Sequence, residues 1–316
     1  MSEEGRESWI DKLDITKYQV KSLVAIPLFI LLIALVVLGY TQLSVGSPLR
    51  LGMDFKGGTW VEIATNKSCN ALTAEFADFP VSIVGKTGIG NKKRIEFGPM
   101  SETQRDALID KLNGLYGAGS YGMESISPVF GTRYLSQTVW AVLIAFTLMS
   151  IVVFAVFRLV VPSTIVILSA FSDIVVAIAC VDLIGMKLSL GMVAALLMLI
   201  GYSVDTDILL TINLLRKKGD LTEKLRIAMK TGIMMTSTTL AAVFAMFIVS
   251  YFIDIPVLKA ISIVLLFGLV ADMMNTWLLN AGILRWYIEK EDRKKYVKRG
   301  TKKVVTKGKT QKKVKA

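Results

Sequence analysis

Ile200 to Leu210 reads Ile-Gly-Tyr-Ser-Val-Asp-Thr-Asp-Ile-Leu-Leu and lies inside an apolar run that begins near Leu188. Such a run is long enough for a helix across a bilayer, which needs about 20 apolar residues. Asp205 and Asp207 fall where a membrane helix should hold no charge. A charged side chain at bilayer depth costs at least about 2.5–3.5 kcal/mol on insertion scales, so these carboxylates must be protonated, paired or turned toward a wet cavity. On a helix, residues two apart project about 200° from each other, so the two cannot share a face. One is expected toward the bundle centre and the other toward a partner helix.

The composition carries the same reading outward. The chain of 316 residues is 53% hydrophobic, with mean hydropathy +0.56, too apolar for a water-bounded core. The net charge of +12 gathers in loops and at the C-terminus, which points to membrane orientation and anionic lipid, with no nucleic acid expected as a partner. Cys69 and Cys180 do not make a disulfide framework. Histidine is absent, so any proton relay must use carboxylates.

Taken in order, the expected organisation is a cytoplasmic tail over 1–21, transmembrane helix 1 over 22–43, an extracytoplasmic α/β domain over 45–133, transmembrane helices 2–6 over 135–286, and a basic cytoplasmic tail over 287–316. The tail from Glu289 reads as disordered. The later spans are placed at about Leu135–Phe157, Pro162–Ile184, Leu188–Leu210, Thr231–Ile253 and Pro256–Trp286. Arg216, Lys217, Lys218, Lys224, Arg226 and Lys230 mark an inner loop, which puts both termini in the cytoplasm and the large insert outside. Within the insert, Gly58–Ala64, Val81–Val84, Lys93–Phe97 and Met123–Val129 read as strands, with helices after Asn70 and after Ser101. Gln104 completes a capping box with Ser101. That β-α-β-β-α-β order predicts a ferredoxin-like domain inserted after the first of six membrane helices.

Asp173 and Asp272 are the other carboxylates within predicted spans, while Asp182 and Asp254 sit near outer ends where water is close. Thr236, Ser237, Thr238 and Thr239 occupy one turn of the fifth span and could donate to a neighbouring carboxylate or bind helices together. Gly191 and Gly201 would permit close helix approach. Outside the first span, Gly52, Asp54, Gly57 and Gly58 lie in Leu-Gly-Met-Asp-Phe-Lys-Gly-Gly-Thr, which suits a tight turn before a strand and lacks a phosphate-binding pattern. No nucleophile triad, metal-ligand spacing, Walker motif or dinucleotide fingerprint occurs, so neither enzyme activity nor a cofactor is expected.

Gly-Met-Asp-Phe-Lys-Gly-Gly at 52–58, Phe-Ser-Asp-Ile-Val at 171–175, Gly-Tyr-Ser-Val-Asp-Thr-Asp at 201–207 and Thr-Ser-Thr-Thr-Leu at 236–240 together resemble the SecF family over about Leu23–Trp286. SecF is the smaller partner in the SecD–SecF protein-export complex, related to the resistance-nodulation-division transporters. The resemblance implies a SecD partner of similar six-span build, assistance to exported polypeptides at the Sec translocation channel, and coupling to the proton-motive force. It implies Asp205, Asp207 and Asp173 as proton-coupling candidates, supported by Tyr202, Ser203, Gly201 and the hydroxyls of 236–239. Where bacterial members read Asn-Asp-Thr, this chain has Asp205, Thr206 and Asp207. The arginine that bacterial members place before the Thr-Ser element has no match, Gly232 falling near there with Lys230 the nearest base. Both departures resemble the archaeal branch. A passive scaffold for the channel, and a small-molecule or lipid transporter of the same superfamily, are the alternatives.

Overall fold

The computed structural model describes residues 19–87, 91–217, 219–291 and 293. The first 18 residues, the Gly-rich turn at 88–90 and nearly all of the basic tail expected over 287–316 lie outside the described residues. Among the described residues, six helices are long and apolar enough to cross a membrane. They are α1 (Val20–Val45), α5 (Pro128–Phe157), α6 (Val160–Leu183), α7 (Leu190–Arg216), α8 (Leu221–Ile253) and a last span, Pro256–Glu291. This last span begins as α9 (Pro256–Met274), widens into a π turn over Asn275–Asn280 and then resumes α geometry.

The insert after α1 holds α2 (Met53–Lys56), β1 (Gly58–Ala64), α3 (Cys69–Glu75), β2 (Val81–Lys86), β3 (Lys92–Phe97), α4 (Glu102–Tyr116) and β4 (Tyr121–Ile126). Its four strands form one antiparallel sheet in the order β2-β3-β1-β4, the ferredoxin-like arrangement. Alternation decides which face packs: Val61 and Ile63 on β1 and Ile95 and Phe97 on β3 are buried against Leu72, Phe76, Leu108 and Leu112 of the two helices. The Ser101–Gln104 capping box forms in full and sets the start of α4.

Two boundaries differ from the sequence reading for identifiable reasons. Val129 is expected in a strand and Arg133 in the domain, yet α5 already starts at Pro128, whose fixed φ and missing N–H suit a first helical position. Hydropathy marks only the later, apolar part of this helix. Likewise α8 starts at Leu221, ten residues before the apolar run, because Asp220 caps it by accepting from the Thr222 N–H. Lys224, Arg226 and Lys230 therefore lie on a helix, not in a loop.

In the bundle, α9 packs against α6, α7 and α8, while α5 lies against α6 and α7, and α1 against α6. Toward the inserted domain, Ala177, Met192, Ala195, Leu199, Val264 and Leu265 form an apolar layer. Toward the opposite end, Leu210, Leu214, Ala228, Trp277 and Leu284 form another. The polar residues described next lie between these layers along α7 and the last span.

The inserted domain is tied to this bundle at one corner. Leu51 and Leu188 form an isolated parallel bridge, with Gly52 N–H donating to Leu188 O at 2.9 Å and Leu188 N–H to Arg50 O at 2.7 Å. A Cβ on Gly52 would stand 2.5 Å from Leu188 O, so only glycine lets the two backbones meet. Asp54 Oδ2 then accepts from Leu190 N–H, the first residue of α7. Gly57, at φ +78°, turns the chain out of α2 against Pro128, where α5 begins. The motif quoted as a turn before a strand thus joins the domain to the first residues of two membrane helices.

Candidate functional site

Asp173 on α6, Asp207 on α7 and Asp272 on α9 are 0%, 0% and 1% exposed, and they converge from three spans. No lysine or arginine pairs with any of them among the described residues; neutral donors surround them instead. Ser203 Oγ donates to Asp173 Oδ2 at 2.5 Å and Asn275 Nδ2 to Asp173 Oδ1 at 2.6 Å. Thr276 Oγ1 donates to Asp207 Oδ1 at 2.8 Å and Asn280 Nδ2 to the same oxygen at 2.7 Å. Asp207 Oδ2 and the nearby Ser169 hydroxyl are both buried without a hydrogen-bond partner.

Asp272 is differently placed. Its neighbours are the hydroxyls of Thr206, 3.2 Å from Oδ2, and Thr276, 3.3 Å from Oδ1. Each of these hydroxyls has a nearer acceptor, Ser203 O at 3.0 Å for Thr206 and Asp207 Oδ1 for Thr276.

Local sequence explains this convergence. On α7, Ser203, Thr206 and Asp207 fall at i, i+3 and i+4, which is one face. On the last span, Asp272, Asn275, Thr276 and Asn280 repeat that spacing, and the π turn begins at Asn275. Such turns are rare and often sit at functional sites.

The sequence candidates divide between this cluster and the surface. Asp207, Asp173 and Ser203 lie in the cluster. Asp205 is exposed on the opposite side of α7, together with Gly201 and Tyr202. Thr236 is buried but makes no hydrogen bond to a carboxylate, while Ser237 and Thr238 are exposed and Thr239 is half-buried. Thr238 and Thr239 both donate to Met235 O in their own helix. The donors expected from the fifth span therefore come from α7 and the last span, because α8 turns its hydroxyl-rich turn largely outward. Gly201 makes no close helix approach: a Cβ there would meet nothing within 4 Å. Gly232 and Gly268 do, against Trp277 and Leu199. Gly52, Asp54, Gly57 and Gly58 stand at the corner where the inserted domain meets the bundle, away from the carboxylates.

Thr206, Asp272, Asn275, Thr276 and Asn280 are site residues that sequence reasoning left out of its set. The signal was present in Asp-Met-Met-Asn-Thr-Trp-Leu-Leu-Asn at 272–280, a polar stripe at helical spacing in an otherwise apolar span.

Residues 110–290 match the family model described as protein export membrane protein SecD/SecF, C-terminal. A protein-export membrane protein SecF of Methanolacinia petrolearia is 44% identical over 277 residues, covering 88% of this chain and 97% of that protein. The SecF of Haloferax volcanii is 42% identical over 281 residues, 89% of this chain and 97% of its own. The crystal structure of SecDF, a translocon-associated membrane protein from Thermus thermophilus, shares the fold at a TM-score of 0.64 and 19% identity. That match covers 91% of this chain and 40% of the SecDF chain, so this chain spans less than half of that protein. On the family model and these archaeal relatives, this multi-pass membrane chain belongs to the SecF family of protein-export membrane proteins.

Proposed function

We propose that the chain assists Sec-dependent export as the SecF-type subunit beside SecD, and that protons passing through Asp173, Asp207 and Asp272 drive it. The observation that carries this reading is three buried carboxylates with no cation beside them among the described residues, met by hydroxyl and amide donors. A carboxyl that cycles between neutral and charged forms needs donors that can accommodate both. Moving one charge across the membrane potential is worth about 2.3 kcal/mol per 100 mV, enough to bias a bundle with two arrangements. The external domain is fastened to α7, the helix that carries Asp207, so movement of that helix reaches the domain that would act on emerging polypeptide beside the translocation channel.

SecD is the partner best suited to cover Asp205. An exposed carboxylate in the middle of a membrane span needs a neighbouring membrane subunit to keep it from lipid. The inner loop and tail, rich in lysine and arginine, support cytoplasmic termini.

The test replaces Asp173, Asp207 and Asp272 together by asparagine and measures export of a secreted reporter and proton flux, with the membrane level of the protein quantified. Loss of both at normal abundance supports the reading. Unchanged flux would sink it, and unchanged export at normal abundance leaves a scaffold role.

A further inference from the structure

Each hydroxyl near the carboxylates has a single proton to donate. Ser203 spends its proton on Asp173, Thr206 on the Ser203 carbonyl and Thr276 on Asp207, by the shortest distances in each case. Asp272 is then left with two hydroxyl neighbours and no donor. A buried ionised carboxylate without a donor is costly, whereas a protonated one can donate to either hydroxyl oxygen. Thr276 Oγ1 has Asp272 on one side and Asp207 on the other.

We propose that Asp272 is the carboxyl that holds the proton and that the Thr276 hydroxyl passes it to Asp207. This assignment rests on the proton-coupling reading above and specifies its path. In the transfer, the O–H bond of Asp272 breaks as a new O–H bond forms on Thr276 Oγ1. The hydroxyl's original O–H bond breaks as one forms on Asp207 Oδ1. Thr276 ends neutral, Asp272 becomes the carboxylate and Asp207 the acid, so one proton has moved and no other reactant is needed. Rotation of the hydroxyl resets the bridge. The step is gated by distance: the 3.3 Å between Thr276 and Asp272 must close by about 0.5 Å to reach ordinary O–H···O length. Both groups lie on the last span, so a small change in the π turn or in the Asp272 side-chain rotamer supplies that closure. Thr276 acts here as a positioning and relay group between two carboxyls, not as a titrating one.

The experiment places the full chain with its SecD subunit in liposomes enclosing a pH-sensitive dye and imposes a membrane potential. Thr276→Val removes the hydroxyl at nearly constant volume and is expected to lower proton flux about tenfold or more, the scale of a lost proton-transfer group. Thr276→Ser is expected to restore it, which a packing role would not require. Wild-type flux in the valine variant, or a serine variant as slow as valine, overturns the relay. The Asp173, Asp207 and Asp272 triple asparagine variant separates the two levels. If it abolishes flux while valine leaves it intact, the coupling reading stands and the relay falls; a wild-type complex no leakier than empty liposomes removes both. Infrared spectra of the wild-type complex test the proton's resting place without relying on the folding of a threonine variant. A protonated-carboxyl band is expected to vanish in Asp272→Asn and persist in Asp207→Asn, and a band that follows Asp207 overturns the assignment.

Discussion

Asp54 Oδ2 accepts a hydrogen bond from the Leu190 backbone N–H at 2.8 Å, joining residues 136 apart in the chain. The carboxylate satisfies one of the free N–H groups at the start of α7 and sits at the positive end of its dipole. Asp54→Ala is expected to cost about 0.5–2 kcal/mol, the usual value of a lost cap. Hydrogen exchange at the first amides of α7 should speed up. Export should fall more than abundance does, and Asp54→Asn, whose carbonyl can still accept, should recover much of the exchange protection.

Asp205 and Asp207 should respond in opposite ways to the same chemical change. Asp207→Asn alters a fully buried hydrogen-bond set and is expected to lower the thermal stability of the subunit by itself. Asp205→Asn touches an exposed side chain and should leave that stability within about 0.5 kcal/mol. Its effect is expected in co-purification with SecD. Equal destabilisation by the two changes would contradict the outward placement of Asp205.

Three glycines in the bundle make a graded prediction. A Cβ on Gly232 would stand 2.5 Å from Cζ2 of the rigid Trp277 ring, so Gly232→Ala should lower stability by about 1–3 kcal/mol. Gly268→Ala would press both methyls and Cγ of the fully buried Leu199 within 3.0 Å and should cost about as much as Gly232→Ala does. Gly201→Ala meets open space and gains helix propensity, so its melting temperature should not fall.

On the inserted domain, Lys67 Nζ donates to Glu75 Oε1 at 2.5 Å, and the Tyr116 hydroxyl donates to Glu75 Oε2 at 3.2 Å. The hydrogen bond to Glu75 holds the Lys67 ammonium above the usual lysine range. Burial, reinforced by the Glu75 charge, raises the Tyr116 phenol. Both groups are raised, so the stability they add is complete below their unfolded values and is lost as pH climbs through the folded ones, above about pH 10. Glu75→Gln should bring both titrations down, as read by NMR of the lysine and by phenolate absorbance.

The fold was legible because its signals are local. Periodicity of two along Thr59–Ile63, the Ser101–Gln104 cap and the length of the apolar runs each depend on neighbours in sequence. The site was legible only in part. Asp205 and Asp207 were distinguishable as a pair facing opposite ways, but which of them faced inward depends on how α7 is rotated against α6 and α9. The direction in which Thr236–Thr239 point was not legible for the same reason, since hydroxyl content does not say which way a helix is turned. Asp272, Thr276 and Asn280 carried a readable spacing, yet their importance comes from meeting Asp207 across 69 and 73 residues of chain for the last two.

The wide turn over Asn275–Asn280 settles an angular problem. Asp272, Thr276 and Asn280 are four apart, and on a regular α-helix each would drift about 40° past the one before, leaving Asn280 about 80° from Asp272. Spreading one turn over more residues takes that drift back, so all three stand in a single column facing α7. The same widening re-phases every side chain beyond it, including Gly282, where a Cβ would come within 3.1 Å of Val24 on α1. The turn works as a vernier between the polar column and the end of the bundle away from the inserted domain. Shifting it by one residue would unseat Asn280 from Asp207 and rotate the contact with α1 in a single movement.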